Sequence, residues 1–277
     1  MICASVALRL ASAGIGYSDQ MDLAHAATAR VLVGLNPYGS VVFNNISYPY
    51  GPLGLLWWQP GVVIEAGGAI ASMLMLLTFR AWVTLAIAAT FPFFVDLTFV
   101  GNNDYSVGFL MAVALLVAAR YRKTGAGLLA AAAAIKPYAA AWYLPLIGYA
   151  GSTALVLLLA TIVLWLPVLV IWTPAAFLES TLIVERLRRE TTWLTAGSID
   201  IPVLRLAAIP LSFAGLFVRR WHHMVLIGSA TFFVFLFFSP WTSAGYWIAL
   251  VPVTGIALER GDTWITHRAV STSGPAG

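Results

Sequence analysis

Apolar runs of about 20 residues recur from one end of the chain to the other, separated by short polar breaks. The runs are continuous rather than alternating, so the period-two pattern of an outer-membrane barrel is absent. This pattern predicts helical spans near residues 52–79, 81–99, 105–119, 152–173, 201–218, 223–239 and 243–258. A first span precedes them. Its sequence, "MICASVALRLASAGIG", lacks a basic start and is interrupted by Arg9, so it reads as a short or truncated span rather than a signal peptide. The stretch "GAGLLAAAAAIKPYAAAWYLPLIGYAG", residues 125–151, admits two readings. As one crossing it would move the basic "RRWHH" cluster to the far side of the membrane. As two half-depth helices broken at Lys136-Pro137, it returns to the side it left, and that is the preferred reading. Proline ends the first half-helix because it lacks an N–H and clashes with the preceding turn.

Composition sharpens the class. Charged residues make up 9% and hydrophobic residues 61% of the 277 positions, against roughly 25% charged in an ordinary soluble domain. The expected fold is all-α, a polytopic transmembrane bundle with about 8–10 membrane segments. A single domain over residues 1–277 is expected, with 259–277 as a cytoplasmic tail. The net charge of +4 is dispersed over short loops, which argues against nucleic acid as a partner and leaves membrane lipids. The lone Cys3 excludes an internal disulfide and a cysteine metal cluster. Basic groups gather in "RYRKTG", in "RRWHH" and around Arg260 and Arg268, with Arg80 as a weaker fourth site. The positive-inside tendency places these, and both termini, in the cytoplasm, with the chain expected in a bacterial plasma membrane.

The opposite face then carries a long first loop, about 18–51, the turn "GNNDYS" and the loop 174–200. Most carboxylates fall there. Asp19 and Asp22 stand where the first span leaves the membrane; either suits a general base that activates an acceptor hydroxyl. Asp22 equally suits the N-cap of a helix running from Leu23 to Val33. Lys136, within an apolar hairpin, either snorkels to an interface or meets an anion such as a lipid phosphate. Arg186, Arg188 and Arg189 lie within one turn; they pair with Glu185 and Glu190, or they grip a phosphate or pyrophosphate. Glu65 and Asp96 sit inside expected spans, Glu65 facing a polar neighbour or marking an irregular span after Pro60. His222 and His223 read as interfacial anchors. "NPYGSVVFNNISYPYGP", residues 36–52, is long for a helix connector of roughly 2–8 residues. Its Tyr38, Tyr48 and Tyr50 suit a membrane interface and the mouth of a site on the outer face.

The blocks "SDQMDLAHAATARVLVGLNPYG…ISYPYGPL", "VGNNDYSVGFLMAVALLVAARYRKTGAGLLAAAAAIKPYAAAWYLPL" and "SPWTSAGYWIALVPV" together resemble the GT-C membrane glycosyltransferases. Within that class the likeness is to glycosyltransferase family 87, the polyprenyl-phosphate-mannose-dependent mannosyltransferases, and it spans about residues 17–257. The resemblance implies inverting transfer of a hexose such as mannose from a polyprenyl-phosphate donor to a lipid or glycan acceptor. It implies Asp22 or Asp19 as base, no metal or other cofactor, and a donor phosphate near Lys136 and the outer arginines. Asn103 and Asp104 stand where the family has Gly-Gln-x-Asn, here Gly101-Asn102-Asn103-Asp104, and "YPP" has become "YPYGP". Two further functions remain open: an inactive GT-C-like accessory subunit of a membrane complex, or a transporter or flippase for a lipid-linked substrate.

Overall fold

A computed structural model describes residues 2–12, 19–44, 46–91, 104–187, 202–239 and 244–265, and over these the chain is mostly helical. The first elements are α1 (Ile2–Ser12), α2 (Asp19–Leu32), a two-stranded hairpin β1 (Val41–Phe43) and β2 (Ile46–Ser47), α3 (Gly54–Trp57), α4 (Val62–Thr78) and α5 (Trp82–Thr90). After them come α6 (Tyr105–Ala118), α7 (Arg122–Ile135), a 3₁₀ segment Pro137–Trp142, α8 (Tyr143–Tyr149), α9 (Ala154–Leu166, continued by a π turn Pro167–Trp172) and α10 (Pro174–Leu187). The last described elements are α11 (Ala208–Ala214), α12 (Trp221–Phe237) and α13 (Val251–Arg260), with 3₁₀ segments at Pro202–Ala207, Gly215–Phe217 and Ala244–Leu250.

The two most buried helices, α6 and α7, run antiparallel through the centre, joined by a turn at 119–121. Gly125 permits their closeness, since a Cβ there would lie 2.5 Å from the Ala118 Cα. Around this pair pack α4, α9, α12, α13 and the 3₁₀ segments. Trp58, Trp142 and Trp221 are fully buried. Each indole N–H finds an acceptor, as buried tryptophans generally do: Trp142 donates to Val225 O at 3.2 Å and Trp221 to Leu115 O at 2.7 Å. The segment Gly151–Trp172 is, among the described residues, the one helix both long and apolar enough to cross a membrane by length and composition. Its flank exposes Leu155, Leu158, Val163, Val170 and Ile171. Val62–Thr78, Tyr105–Ala118, Val203–Phe217 and Trp221–Phe237 are apolar but shorter.

The stretch from 122 to 149 is a hairpin that ends where it began. Tyr149 Oη donates to Ala119 O at 3.5 Å, and the Arg122 guanidinium lies 5.8 Å from the Tyr149 ring. Helix α7 stops at Ile135 because Pro137 follows, and Lys136 takes an extended conformation (φ −128°, ψ 116°). The carbonyls exposed by this break are capped by the first loop: Gly51 N donates to Ile135 O at 3.0 Å and Leu53 N to Ala134 O at 2.9 Å. The connector "YPYGPL" therefore acts as the C-terminal cap of a helix more than 80 residues away.

The hairpin gives the bundle two chemically distinct ends. One end gathers the turns at 79–82, 119–122, 148–152 and 218–222 together with 259–265. There Arg219 donates to Gly148 O at 2.7 Å, His222 Nδ1 approaches Asp262 at 3.0 Å, and the Trp264 ring packs edge-on against Phe79 and Trp221. Arg80, Arg120, Arg122, Lys123, Arg219, Arg220 and Arg260 all sit on these turns. The other end holds Lys136, Asp104, Glu65 and the aromatic loop 38–58.

Three expected boundaries differ. The span 52–79 is interrupted after Trp57, where Gln59-Pro60-Gly61 makes a turn and Gly61 adopts φ +68°, a conformation glycine takes without strain. Residues 244–250 are 3₁₀ rather than α. A small β-hairpin, with Phe43 paired to Ile46, follows α2 within the first loop.

Candidate functional site

The hairpin tip carries the central feature. Lys136 Nζ and Asp104 Oδ1 are 2.6 Å apart, with side chains 1% and 0% exposed. Asp104 precedes the first turn of α6, but its carboxylate does not cap that helix. It turns instead toward the break after α7, where Tyr138 Oη, in the 3₁₀ segment, also donates to Oδ1 at 2.8 Å. The second oxygen, Oδ2, is buried and has no hydrogen-bond partner among the described residues. A buried acceptor left unpaired costs about 1–3 kcal/mol, so this oxygen is the energetically open position of the cluster among the described residues.

Four aromatic rings surround the ammonium. Nζ lies 4.7 Å from the Tyr246 ring centre, 5.1 Å from Tyr50, 5.5 Å from Tyr138 and 5.9 Å from Trp58. Cation–π attraction at these distances adds to the ion pair. A buried lysine facing one carboxylate and four π faces is compensated; a bare one would not persist in an apolar bundle.

A second carboxylate is tied to the same place. Glu65, in the first turn of α4, accepts from Trp58 Nε1 at 3.1 Å, from Ser106 N at 2.9 Å and from the Ser106 hydroxyl. Trp57 Nε1 donates to that hydroxyl at 2.8 Å. Close approach of α4 to α6 makes this network possible: a Cβ at Gly68 would stand 2.5 Å from the Ser106 Cα. Glu65 is thus one indole removed from Lys136 and two residues removed from Asp104.

The first-loop tyrosines form a file leading to this cluster. Tyr38 meets Tyr48 at 5.6 Å, Tyr48 meets Tyr50 at 5.4 Å, and Tyr50 meets Trp58 at 5.0 Å between ring centres. Tyr38 Oη donates to Tyr50 O at 3.1 Å and Tyr48 Oη to Gly51 O at 3.3 Å. Burial pushes the Tyr38 phenol well above the usual tyrosine range, so it stays a neutral donor. Tyr38 and Tyr48 are packed into the interior rather than presented to a cavity, and of the three only Tyr50 faces Lys136. The loop also meets the end of α9 and α10: Asn36 Nδ2 donates to Trp172 O at 2.7 Å, and Gly39 N donates to Ser180 Oγ at 2.8 Å.

Helix α2 lies along the outside of this assembly, with His25 Nε2 at 3.2 Å from Trp58 O and Thr28 Oγ1 donating to Leu55 O at 2.9 Å. It begins at Asp19, so Asp22 stands inside the first turn and is not the N-cap of a helix starting at Leu23. Asp22 is half-buried one turn before His25, without a side-chain partner among the described residues. Asp19 is the first residue of α2, and Arg186 lies in the last turn of α10; the side chains of both fall outside the described structure. Asp96, Asn103, Arg188 and Arg189 lie outside the described residues.

Of the expected site residues, Lys136, Asp104 and Tyr50 are brought together directly. The sequence gives Glu65 a polar helix neighbour, which is Ser106, but no part in a site, and does not single out Trp58, Ser106, Tyr138 or Tyr246. The usable signal was a carboxylate just past Pro60 in an apolar run, which needed an acceptor's partners nearby. No family model matches the chain, and neither does any curated protein or solved structure.

Proposed function

We propose that this chain is an integral membrane glycosyltransferase of the GT-C type. It moves a hexose from a polyprenyl-phosphate donor to a lipid or glycan acceptor, at the bundle end that holds Lys136 and Asp104. The basic end faces the cytoplasm and the cluster faces outward, following the positive-inside tendency. The observation that carries the reading is the Asp104 carboxylate: one oxygen engaged by Lys136 and Tyr138, the other buried and unpartnered, with aromatic rings alongside. Aromatic faces beside a carboxylate acceptor suit a sugar, whose C–H faces pack on rings while its hydroxyls donate to carboxylates.

In the proposed reaction an acceptor hydroxyl loses its proton to a carboxylate and its oxygen attacks the anomeric carbon. The bond from that carbon to the phosphate oxygen breaks, and polyprenyl phosphate leaves with inverted configuration in the product. Asp22, or Asp19 one turn earlier, supplies the base from α2. Asp104 holds sugar hydroxyls, and Lys136 fixes Asp104 as its countercharge. Arg186, Arg188 and Arg189 supply positive charge for the donor phosphate. The complete burial of the Lys136–Asp104 pair favours a second reading, an inactive relative in which the pair only pins the hairpin. The two separate on one test. Membranes carrying Asp104→Asn in a folded protein should lose transfer from a radiolabelled polyprenyl-phosphate hexose, whereas the structural reading has no transfer to lose.

A further inference from the structure

The basic end contains a groove that the transfer reaction does not use. It has a volume of about 690 Å³, within the roughly 300–1,000 Å³ usual for small-molecule sites. Met75 of α4, Phe79 at its C-terminal end, and Val113, Leu116 and Val117 of α6 make its apolar walls. Arg120, Tyr121 and Trp264 line its rim.

One donor in the lining is out of water without an acceptor among the described residues: Trp264 Nε1. Buried donors of this kind are normally satisfied. The carboxylates at this end are already committed. Glu259 accepts from Val83 N at 3.1 Å and from Thr84 N and Oγ1 at 2.7 and 2.6 Å; Asp262 accepts from His222 N at 3.0 Å. Neither is paired with Arg120, which is exposed and lies over the Tyr121 ring face, 5.4 Å away, with no carboxylate partner among the described residues. Apolar walls, a guanidinium and the unpaired Trp264 donor together line one site.

We infer that this groove binds an anionic phospholipid, its phosphate at Arg120 and Trp264 and an acyl chain along α4 and α6. The inference rests on the membrane reading above. Basic pockets between helices at the cytoplasmic side are where anionic head groups settle, and an aromatic rim places the site at head-group depth. A free phosphate would have no use for the apolar walls.

The test uses the purified full chain in native mass spectrometry, with phosphatidylglycerol and phosphatidylcholine supplied at equal concentration. The wild type should retain phosphatidylglycerol in preference. Arg120→Gln, a surface change that leaves the core intact, should cut that preference roughly fivefold, the worth of one basic residue at an anionic surface. Trp264→Phe, which keeps an aromatic ring and removes the donor, should weaken retention roughly tenfold. Val117→Trp, which fills the groove, should lower retention of both lipids. Equal retention of the two lipids by wild type, or an unchanged preference in Arg120→Gln, overturns the inference. So does displacement by soluble glycerol phosphate, which would mean that the acyl chain contributes nothing. A chain that stays out of bilayers defeats the membrane reading itself, whereas one that embeds without holding phosphatidylglycerol defeats only this site.

Discussion

The Gly51 amide donates to the Ile135 carbonyl at 3.0 Å, which makes the first loop the cap of the broken hairpin that presents Lys136. The same turn has no room for a side chain. A Cβ on Gly51 would run into the Ala134 carbonyl, and that contact is to backbone, which cannot swing aside. Gly51→Val should therefore destabilise by at least the 1–3 kcal/mol usual for overpacking. Gly67→Val, on the same helical bundle but with open space around it, should cost far less by comparison. Thermal unfolding of the two variants in detergent checks this. Equal midpoints would mean the loop does not clamp the hairpin.

Lys136 and Asp104 are mutually dependent. Lys136→Met leaves a buried carboxylate uncompensated and Asp104→Asn leaves a buried ammonium, each at a cost of about 3–5 kcal/mol. The double substitution removes both charges, and its loss should be well below the sum of the singles. A double-mutant cycle on unfolding free energies gives the coupling. Additive losses would show that the two groups do not stabilise one another.

Glu65→Ala strips acceptors from Trp58 Nε1 and Ser106 N together. Each orphaned donor costs about 1–3 kcal/mol, and the Trp58 indole, facing Lys136, should change its fluorescence environment. Gly68→Leu should reproduce the effect by pushing α4 from α6. Wild-type stability in Glu65→Ala would show that this network bears no weight.

These relationships were unequally legible in the sequence. The break at Lys136-Pro137 was readable, because proline's missing donor is a local property. So was the gathering of basic turns at one end, which follows once 122–149 is read as a hairpin. The partners of Glu65 were not readable: Ser106 is 41 positions away, and nothing local says which polar group a buried carboxylate will find. The first-loop tyrosines looked like an exposed wall because interface and core both favour tyrosine. Only packing shows Tyr38 and Tyr48 to be interior. The start of α2 was misplaced because Asp19 and Asp22 are both good residues for a helix N-terminus.

The lone Cys3 makes orientation measurable. In a Cys3→Ser background, Val41→Cys in the exposed first loop should react with a membrane-impermeant maleimide in intact cells. Lys123→Cys, at the basic end, should react only after the cells are opened. The reverse pattern would place the Lys136 cluster on the cytoplasmic side.

The most direct measurement is transfer of label from a radioactive polyprenyl-phosphate hexose by membranes holding the wild type and the Lys136→Met/Asp104→Asn pair. Because the pair removes both buried charges together, it should remain folded while transfer falls by roughly 10²–10³, the scale of losing a positioned catalytic-site interaction. A folded wild type that transfers no hexose, or a double variant that transfers as well as wild type, would contradict a sugar site at Asp104.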